Sequence, residues 1–290
     1  MNVIGVDLGG TNIKAGLISS KSKIIRRCEI PTETKKGTNA VINNLILAIS
    51  EIKNGKIDGI GIGSPGPLDY KKGIITNPVN LPFRNVPLKR IIENKFKIKT
   101  LIDNDVKCFT LAEAIFGQGR KYENVVGITL GTGIGGGLAI NKKIYHGRNN
   151  ATELGHMAIN YRGFSDNCGN DGCLEVHASS KFFKRIFRKE AYTIYQLALK
   201  GNKKAIRAFE KMGHYLGIGL ANIMYAFDPD IIIIGGKISN SWKFFSRSMN
   251  KTIKERYFAK PCPVVKSKLE DAGILGASAL VNGKRTSGKS

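Results

Sequence analysis

Cysteine is scarce in this chain of 290 residues: Cys28, Cys108, Cys168, Cys173 and Cys262 make five, an odd number and mostly isolated. That excludes a disulfide framework of the kind that staples small secreted domains. Long apolar runs are missing too. No stretch approaches the length of a bilayer-spanning helix, and Met1-Asn2-Val3-Ile4-Gly5 opens on a strand-like run without the basic and apolar regions of a secretory leader. The expectation is a soluble cytoplasmic protein with no membrane partner. Acidic residues are in short supply, with 22 Asp and Glu against 46 Lys and Arg, a formal charge of +24. Such an excess attracts nucleic acid, acidic surfaces or phosphorylated ligands. It is not gathered into one tail, because lysines are spread over Lys21 to Lys36, Lys181 to Lys211 and Lys251 to Lys268. Those segments read as helices or turns with solvated faces, so the expectation is a lysine-rich surface with no specific nucleic-acid partner.

What the chain does have is glycine-rich turns between alternating apolar runs. Residues 3–18, VIGVDLGGTNIKAGLI, read as a hairpin, and residues 125–140, VVGITLGTGIGGGLAI, align with them without a gap. Two such hairpins predict a duplicated α/β unit whose lobes face a shared cleft, with a glycine turn offered by each. The length suits two domains. Between the hairpins, residues 37–53 carry apolar residues at helical spacing, 57–63 read as a strand, 88–97 as a helix, 99–102 as a strand and 106–116 as a helix. Gly117-Gln118-Gly119 reads as a hinge. Further on, a helix over 205–227 stops at Asp228-Pro229, a strand over 231–234 delivers Gly235-Gly236, and a last apolar helix spans 273–281 before a polar tail. The expected division is a smaller α/β lobe over 1–117, with the C-terminal helix near 274–290 packing back on it, and a larger lobe over 118–273.

Two phosphate-binding patterns occur and fail on context. GKRTSGKS at 283–290 has P-loop spacing but no helix after it, and Gly131, Gly133 and Gly136 have Rossmann spacing but run into another strand. The hairpin turns can still hold phosphate, because successive backbone N–H groups in a tight turn form an anion-binding concavity and glycine lets the phosphate come close. Gly9, Gly10, Thr11, Asn12 and Lys14 in one hairpin, Thr132 and Gly133 in the other, and Gly235 with Gly236 are the candidate ATP-binding residues. Asp7, beside the first turn, could hold a magnesium ion directly or through water.

In order along the chain, DLGGT at 7–11, GIGSPG at 61–66, Asn104-Asp105, GTGIGGG at 131–137, ELGH at 153–156, GCLE at 172–175 and AGILGAS at 272–278 resemble the ROK sugar kinases. The resemblance covers nearly the whole chain. It implies the two-lobed actin/hexokinase-like ATPase fold, ATP and Mg²⁺ as cofactors, a hexose substrate and a homo-oligomer, either dimer or tetramer. It further implies Asp105 as the base that takes the sugar hydroxyl's proton during phosphoryl transfer, whereas the residues alone equally support Asp105 as N-cap of a helix starting at Val106. Asn104, Glu153, His156 and Glu175, with Gly66 beside them, are implied as sugar ligands. The implied activity is a glucokinase acting on the 6-hydroxyl of glucose. Fructokinase, N-acetylmannosamine kinase and N-acetylglucosamine kinase share the same frame, and polyphosphate is an alternative donor. A sugar-responsive ROK transcriptional regulator is the reading from another class; its N-terminal helix-turn-helix has no room before Val3. The chain departs from the family pattern at Ala151-Thr152-Glu153, where a β-branched residue stands in place of glycine, and the loop over 147–150 looks one residue short.

Many ROK kinases hold a structural zinc with the histidine of the Glu-x-Gly-His motif and three cysteines. Here Cys168 and Cys173 match the second and third cysteines and the first falls on Asp166. Zinc accepts carboxylate oxygen as well as thiolate and imidazole, so His156, Asp166, Cys168 and Cys173 could form a tetrahedral set. The alternative is a metal-free loop held by hydrogen bonds.

Overall fold

The computed structural model describes residues 2–283. Residues 284–290, which carry most of the P-loop-like run, lie outside the described residues. The chain separates into two compact units. One holds the residues up to Lys121, Ala139–Ala151 and those from Leu269 on; the other holds Tyr122–Leu138 and Thr152–Lys268. Beside the expected divisions at 117 and 273, the chain thus divides at Lys121 and Leu269 and sends one internal segment back to the first unit.

The first unit opens with the antiparallel hairpin of β1 (Val3–Leu8) and β2 (Asn12–Ile18), in which Asp7 pairs with Lys14. It continues with β3 (Ile24–Pro31), α1 (Thr38–Ile52), β4 (Gly59–Ser64), the short pair β5 (Leu68–Asp69) and β6 (Ile74–Ile75), α2 (Leu88–Phe96), β7 (Thr100–Asn104) and α3 (Asp105–Ile115). The sheet order is β3-β2-β1-β4-β7, with β1, β4 and β7 parallel. A strand, not a helix or turn, occupies much of Lys21 to Lys36. Ile24, Cys28 and Ile30 are half-buried, but Arg26, Arg27 and Glu29 are exposed, as suits the edge of a sheet, and the two arginines obscure the alternation.

A second series follows: β8 (Val125–Leu130), β9 (Ile134–Ile140), β10 (Lys143–Ile144), α4 (Leu174–Ala178), α5 (Ser180–Phe187), α6 (Ala191–Leu199), α7 (Lys203–Phe227), β11 (Ile231–Gly235), α8 (Trp242–Arg256) and β12 (Val264–Lys266). Its sheet order, β10-β9-β8-β11-β12, repeats the first with each strand in the matching place. The chain then forms α9 (Ala272–Gly283) in the first unit. Among the described residues no helix is long and apolar enough to cross a membrane.

Strand alternation decides which groups each unit buries. Ile4, Val6 and Leu8 enter one core with Val41, Leu45 and Ile49 of α1 and Leu88 and Ile92 of α2. Gly5 and Asp7 therefore face the other side, where α9 lies. A Cβ at Gly61 would fall on the carbonyl of Ala277, and one at Gly5 on that of Ile274, so glycine lets α9 rest directly on β1 and β4. In the second unit, Val126, Ile128 and Leu130 pack with Leu174, Phe182, Phe183, Phe209, Leu216 and Phe245 in one cluster.

One member of α4 makes that core pH-sensitive. His177 is 2% exposed and stacks between Phe164 and Tyr215, and neither ring nitrogen has a hydrogen-bond partner among the described residues. Burial pushes its pKa below the ordinary 6.5, and the charges of Arg185 and Lys211 push the same way. Around pH 6.5 the unfolded chain accepts a proton that the folded one refuses, so stability rises with pH through the window below 6.5 and is lost on acidification. His177→Phe keeps the stacking and removes two unmet nitrogens. It is expected to raise Tm and to flatten its decline between about pH 7 and about pH 5; an equally steep decline in both proteins contradicts this.

Candidate active site

The first glycine turn is fixed by a residue that its own sequence does not reveal. Thr32, fully buried just beyond β3, donates its hydroxyl to the Gly9 carbonyl at 2.7 Å and its amide to the Thr11 carbonyl at 2.8 Å. Carbonyl and N–H point opposite ways across a trans peptide, so pinning the Gly9 carbonyl aims the Gly10 N–H away from Thr32. Asn12 is tied by its side-chain amide to Glu29 at 2.5 Å. Lys14 is exposed. Asp7 lies beneath the start of α9, where a Cβ on Gly273 would strike its carboxylate. Burial raises the Asp7 pKa; Lys14 across the hairpin opposes this and Asp271 adds to it. A carboxylate in that setting gains from a nearby cation, as a magnesium ligand requires.

Asn104 and Asp105 sit where β7 passes into α3. The helix begins at Asp105 rather than Val106, and the N-cap is Asn104, correcting the capping role that the sequence allowed Asp105. The Asn104 Oδ1 accepts from the amides of Val106 at 3.0 Å and Lys107 at 3.2 Å, in the extended conformation a cap adopts. Its amide nitrogen faces Gly66, whose Cβ, were there one, would touch it at 3.5 Å. The half-buried Asp105 occupies the first turn of α3, where the helix dipole favours a carboxylate, and its Oδ1 meets the Val106 amide at 2.9 Å. The buried Cys108 thiol reports the charge gathered here: burial raises its pKa well above the ordinary value, and the carboxylates of Asp103, Asp105 and Asp7 raise it further.

In the second unit the other glycine turn is pinned in the same manner. The Gly131 carbonyl accepts from the Ser180 amide at 3.0 Å, which aims the Thr132 N–H the opposite way. Glu175 closes the turn, its Oε2 accepting from the Ile134 amide at 2.7 Å and its Oε1 from Lys181 Nζ at 2.5 Å. Gly133 lies against that carboxylate, and a side chain there would collide with it. Gly235 ends β11, and Gly236 follows at φ 83°, a conformation suited to glycine.

Glu153 is exposed at the start of a short 3₁₀ turn over Leu154–His156. The preceding Thr152 explains the unusual β-branched residue: it holds φ 72°, a left-handed conformation that costs a β-branched side chain free energy, while its Oγ1 donates to the Gly136 carbonyl at 3.1 Å. The hydrogen bond offsets part of that strain. His156, Asp166, Cys168 and Cys173 come together, with ligand atoms all within 4.8 Å of one another. The His156 Nδ1 lies 3.3 Å from Asp166 Oδ2 yet makes no hydrogen bond, and the Cys168 and Cys173 sulfurs are 3.5 Å apart. Lys181 holds the other Asp166 oxygen at 2.8 Å. Desolvation raises the Asp166 pKa, but the Lys181 ammonium and the Asn167 amide outweigh it and bring the group to about 2. Burial, then the Cys168 thiol and Asp166, push Cys173 up to about 12. An orphaned imidazole nitrogen, an ionised carboxylate and crowded thiols are the donor set a zinc ion would relieve.

The profile of the ROK family matches residues 3–284. The chain belongs to the ROK family. It is 33% identical over 308 residues to a glucokinase of Thermotoga maritima, covering 97% of both chains. It is also 31% identical over 294 residues to the xylose repressor of Bacillus subtilis, covering 96% of this chain and 76% of the repressor. Among solved structures, a ROK glucokinase from Streptomyces griseus in complex with glucose and AMPPNP superposes with a TM-score of 0.83 at 27% identity, over 98% of this chain and all of the other. The fold is that of the ROK sugar kinases, within the actin/hexokinase-like class.

Proposed function

We propose that this chain transfers the γ-phosphoryl group of ATP to the 6-hydroxyl of glucose, with Asp105 as general base. The chain is a sugar kinase; the acceptor, the donor and the residue roles are the proposal. The observation that carries it is the turn from β7 to α3, where Asn104 spends its Oδ1 on capping and turns its amide toward Gly66, and Asp105 stands in the helix's first turn. The Asp105 carboxylate takes the hydroxyl proton as O6 attacks the γ-phosphorus in line, the bond to ADP breaks, and Asp105 is left protonated. Within the first unit, Gly66 and Asn104 are assigned to the hexose and Gly9, Gly10, Thr11, Asn12 and Lys14 to the nucleotide. Within the second, Glu153, His156 and Glu175 are assigned to the hexose, and Thr132, Gly133, Gly235 and Gly236 to the nucleotide. Glu175 acts while anchored to Ile134 and Lys181, so it serves as a fixed acceptor.

Magnesium, held at Asp7 directly or through water, would neutralise charge on the transferred phosphate. Zinc is assigned to His156, Asp166, Cys168 and Cys173 as a structural cross-link. A panel of glucose, mannose, fructose, N-acetylmannosamine and N-acetylglucosamine, compared by kcat/KM, tests the acceptor. Glucose is expected to rank first, and another hexose at the top overturns the assignment. Sugar binding with no turnover on any of them favours a sugar-responsive regulator, the alternative that similarity to the xylose repressor supports.

A further inference from the structure

The turn carrying Asn104 and Asp105 is gripped from outside by the loop that follows β10. His146 Nε2 lies 2.7 Å from Asp103 Oδ2, and the other Asp103 oxygen accepts the Asn104 amide at 2.8 Å. Both oxygens of a carboxylate that is only 4% exposed are thus taken, one by the loop and one by the turn. Three residues further along the same loop, the Asn149 carbonyl accepts from Lys107 Nζ at 3.0 Å. Asp103 and Lys107 lie two residues before and two residues after Asp105, so the loop holds the turn on both flanks. The loop is itself anchored: the Tyr70 ring stacks on His146 at 3.7 Å and 9°, and the Asn149 side-chain amide donates to the Leu68 carbonyl at 2.5 Å.

On the outer side of β7 ordinary packing does not supply this restraint. Strand β7 ends its sheet, with β4 as its only strand neighbour among the described residues. Beside it, a cavity of about 270 Å³ is lined by Leu101, Ile102, Asp103, Leu111, Ile144 and His146, among others. Pairing with β4 reaches Ser64 and Asn104, but on the outer side neither a second strand nor a filled core braces the end of β7 among the described residues. A hydrogen-bonded carboxylate whose partner is itself fixed by stacking can provide that bracing.

We propose that His146 is a positioning residue for phosphoryl transfer, holding the Asn104–Asp105 turn through Asp103, with Asn149 and Lys107 as the second grip. This inference rests on the reading of Asp105 as the base. His146→Phe keeps the ring on Tyr70 and removes the bond to Asp103. His146→Gln places an amide donor near the lost Nε2. In the Phe variant the Asn104, Val106 and Lys107 amides are expected to exchange faster with deuterium, and kcat is expected to fall by about tenfold to about a hundredfold while Tm changes little. The Gln variant is expected to restore much of both. Unchanged amide exchange in His146→Phe overturns the proposal, as does a kcat within about twofold of the wild type in an active enzyme. Should the Phe variant fail to fold, Lys107→Met reads the second grip by the same two measurements, and unchanged values there overturn it equally. A wild-type chain inactive on every hexose, with faster exchange in the Phe variant, refutes the kinase reading and leaves the clamp standing.

Discussion

Asp105→Asn is expected to lower kcat by about 10²- to about 10⁴-fold while glucose binding survives. The asparagine keeps the shape of the first turn of α3 and still has an oxygen for the Val106 amide, so the helix start loses little. What it loses is basicity, since an amide cannot accept the hydroxyl proton as O6 attacks. Asn104, whose amide faces Gly66, is untouched, so the sugar should still bind. Calorimetric glucose affinity close to wild type together with collapsed kcat fits this division of labour. Near-normal turnover in the variant refutes Asp105 as the base, and a matching loss of glucose affinity would make it a binding residue instead.

Zinc should follow the purified chain at one ion per molecule, and a strong chelator should lower Tm. The apparent free energy of structural zinc binding is about 10 kcal/mol or more, ample to survive dialysis. Asp166 enters the site with one oxygen, because Lys181 holds the other, so it binds as a single donor comparable to a thiolate in number and harder in character. Asp166→Cys should therefore hold zinc at least about tenfold more tightly, and Asp166→Ala should lose most of the metal. Asp166→Ala also leaves Lys181 with Glu175 as its remaining carboxylate partner, and the Glu175 bond to the Ile134 amide should survive. A metal-free wild-type protein whose Tm ignores the chelator, with the same behaviour in Asp166→Cys, sinks the zinc assignment.

Some of this was open to inspection in the sequence and some was not, for physical reasons. Both hairpins show because alternation over six or seven residues around a glycine turn is a local signal, and their ungapped alignment anticipates the repeated strand order. Strand β3 hides because an edge strand needs few apolar residues, and Arg26-Arg27 masks those it has. At the β7 to α3 boundary the motif marks the right two residues, but the capping role belongs to Asn104, since only the φ and ψ of the turn decide which side chain turns back on the helix. Cys168 and Cys173 stand out by spacing, whereas the Lys181 bonds to Asp166 and Glu175 leave no pattern in a run of basic helix residues. Thr32 and His146 are harder still. They act on backbone and carboxylate groups 23 and 43 residues away, and no local periodicity encodes such pairings.

The most direct test of the central claim is to incubate the purified chain with ATP, Mg²⁺ and glucose and follow both products by phosphorus NMR. ADP and glucose 6-phosphate are expected to form one for one, with no ADP formed at that rate when the sugar is omitted. ADP formation indifferent to sugar, or no hexose phosphate across the panel, would contradict it.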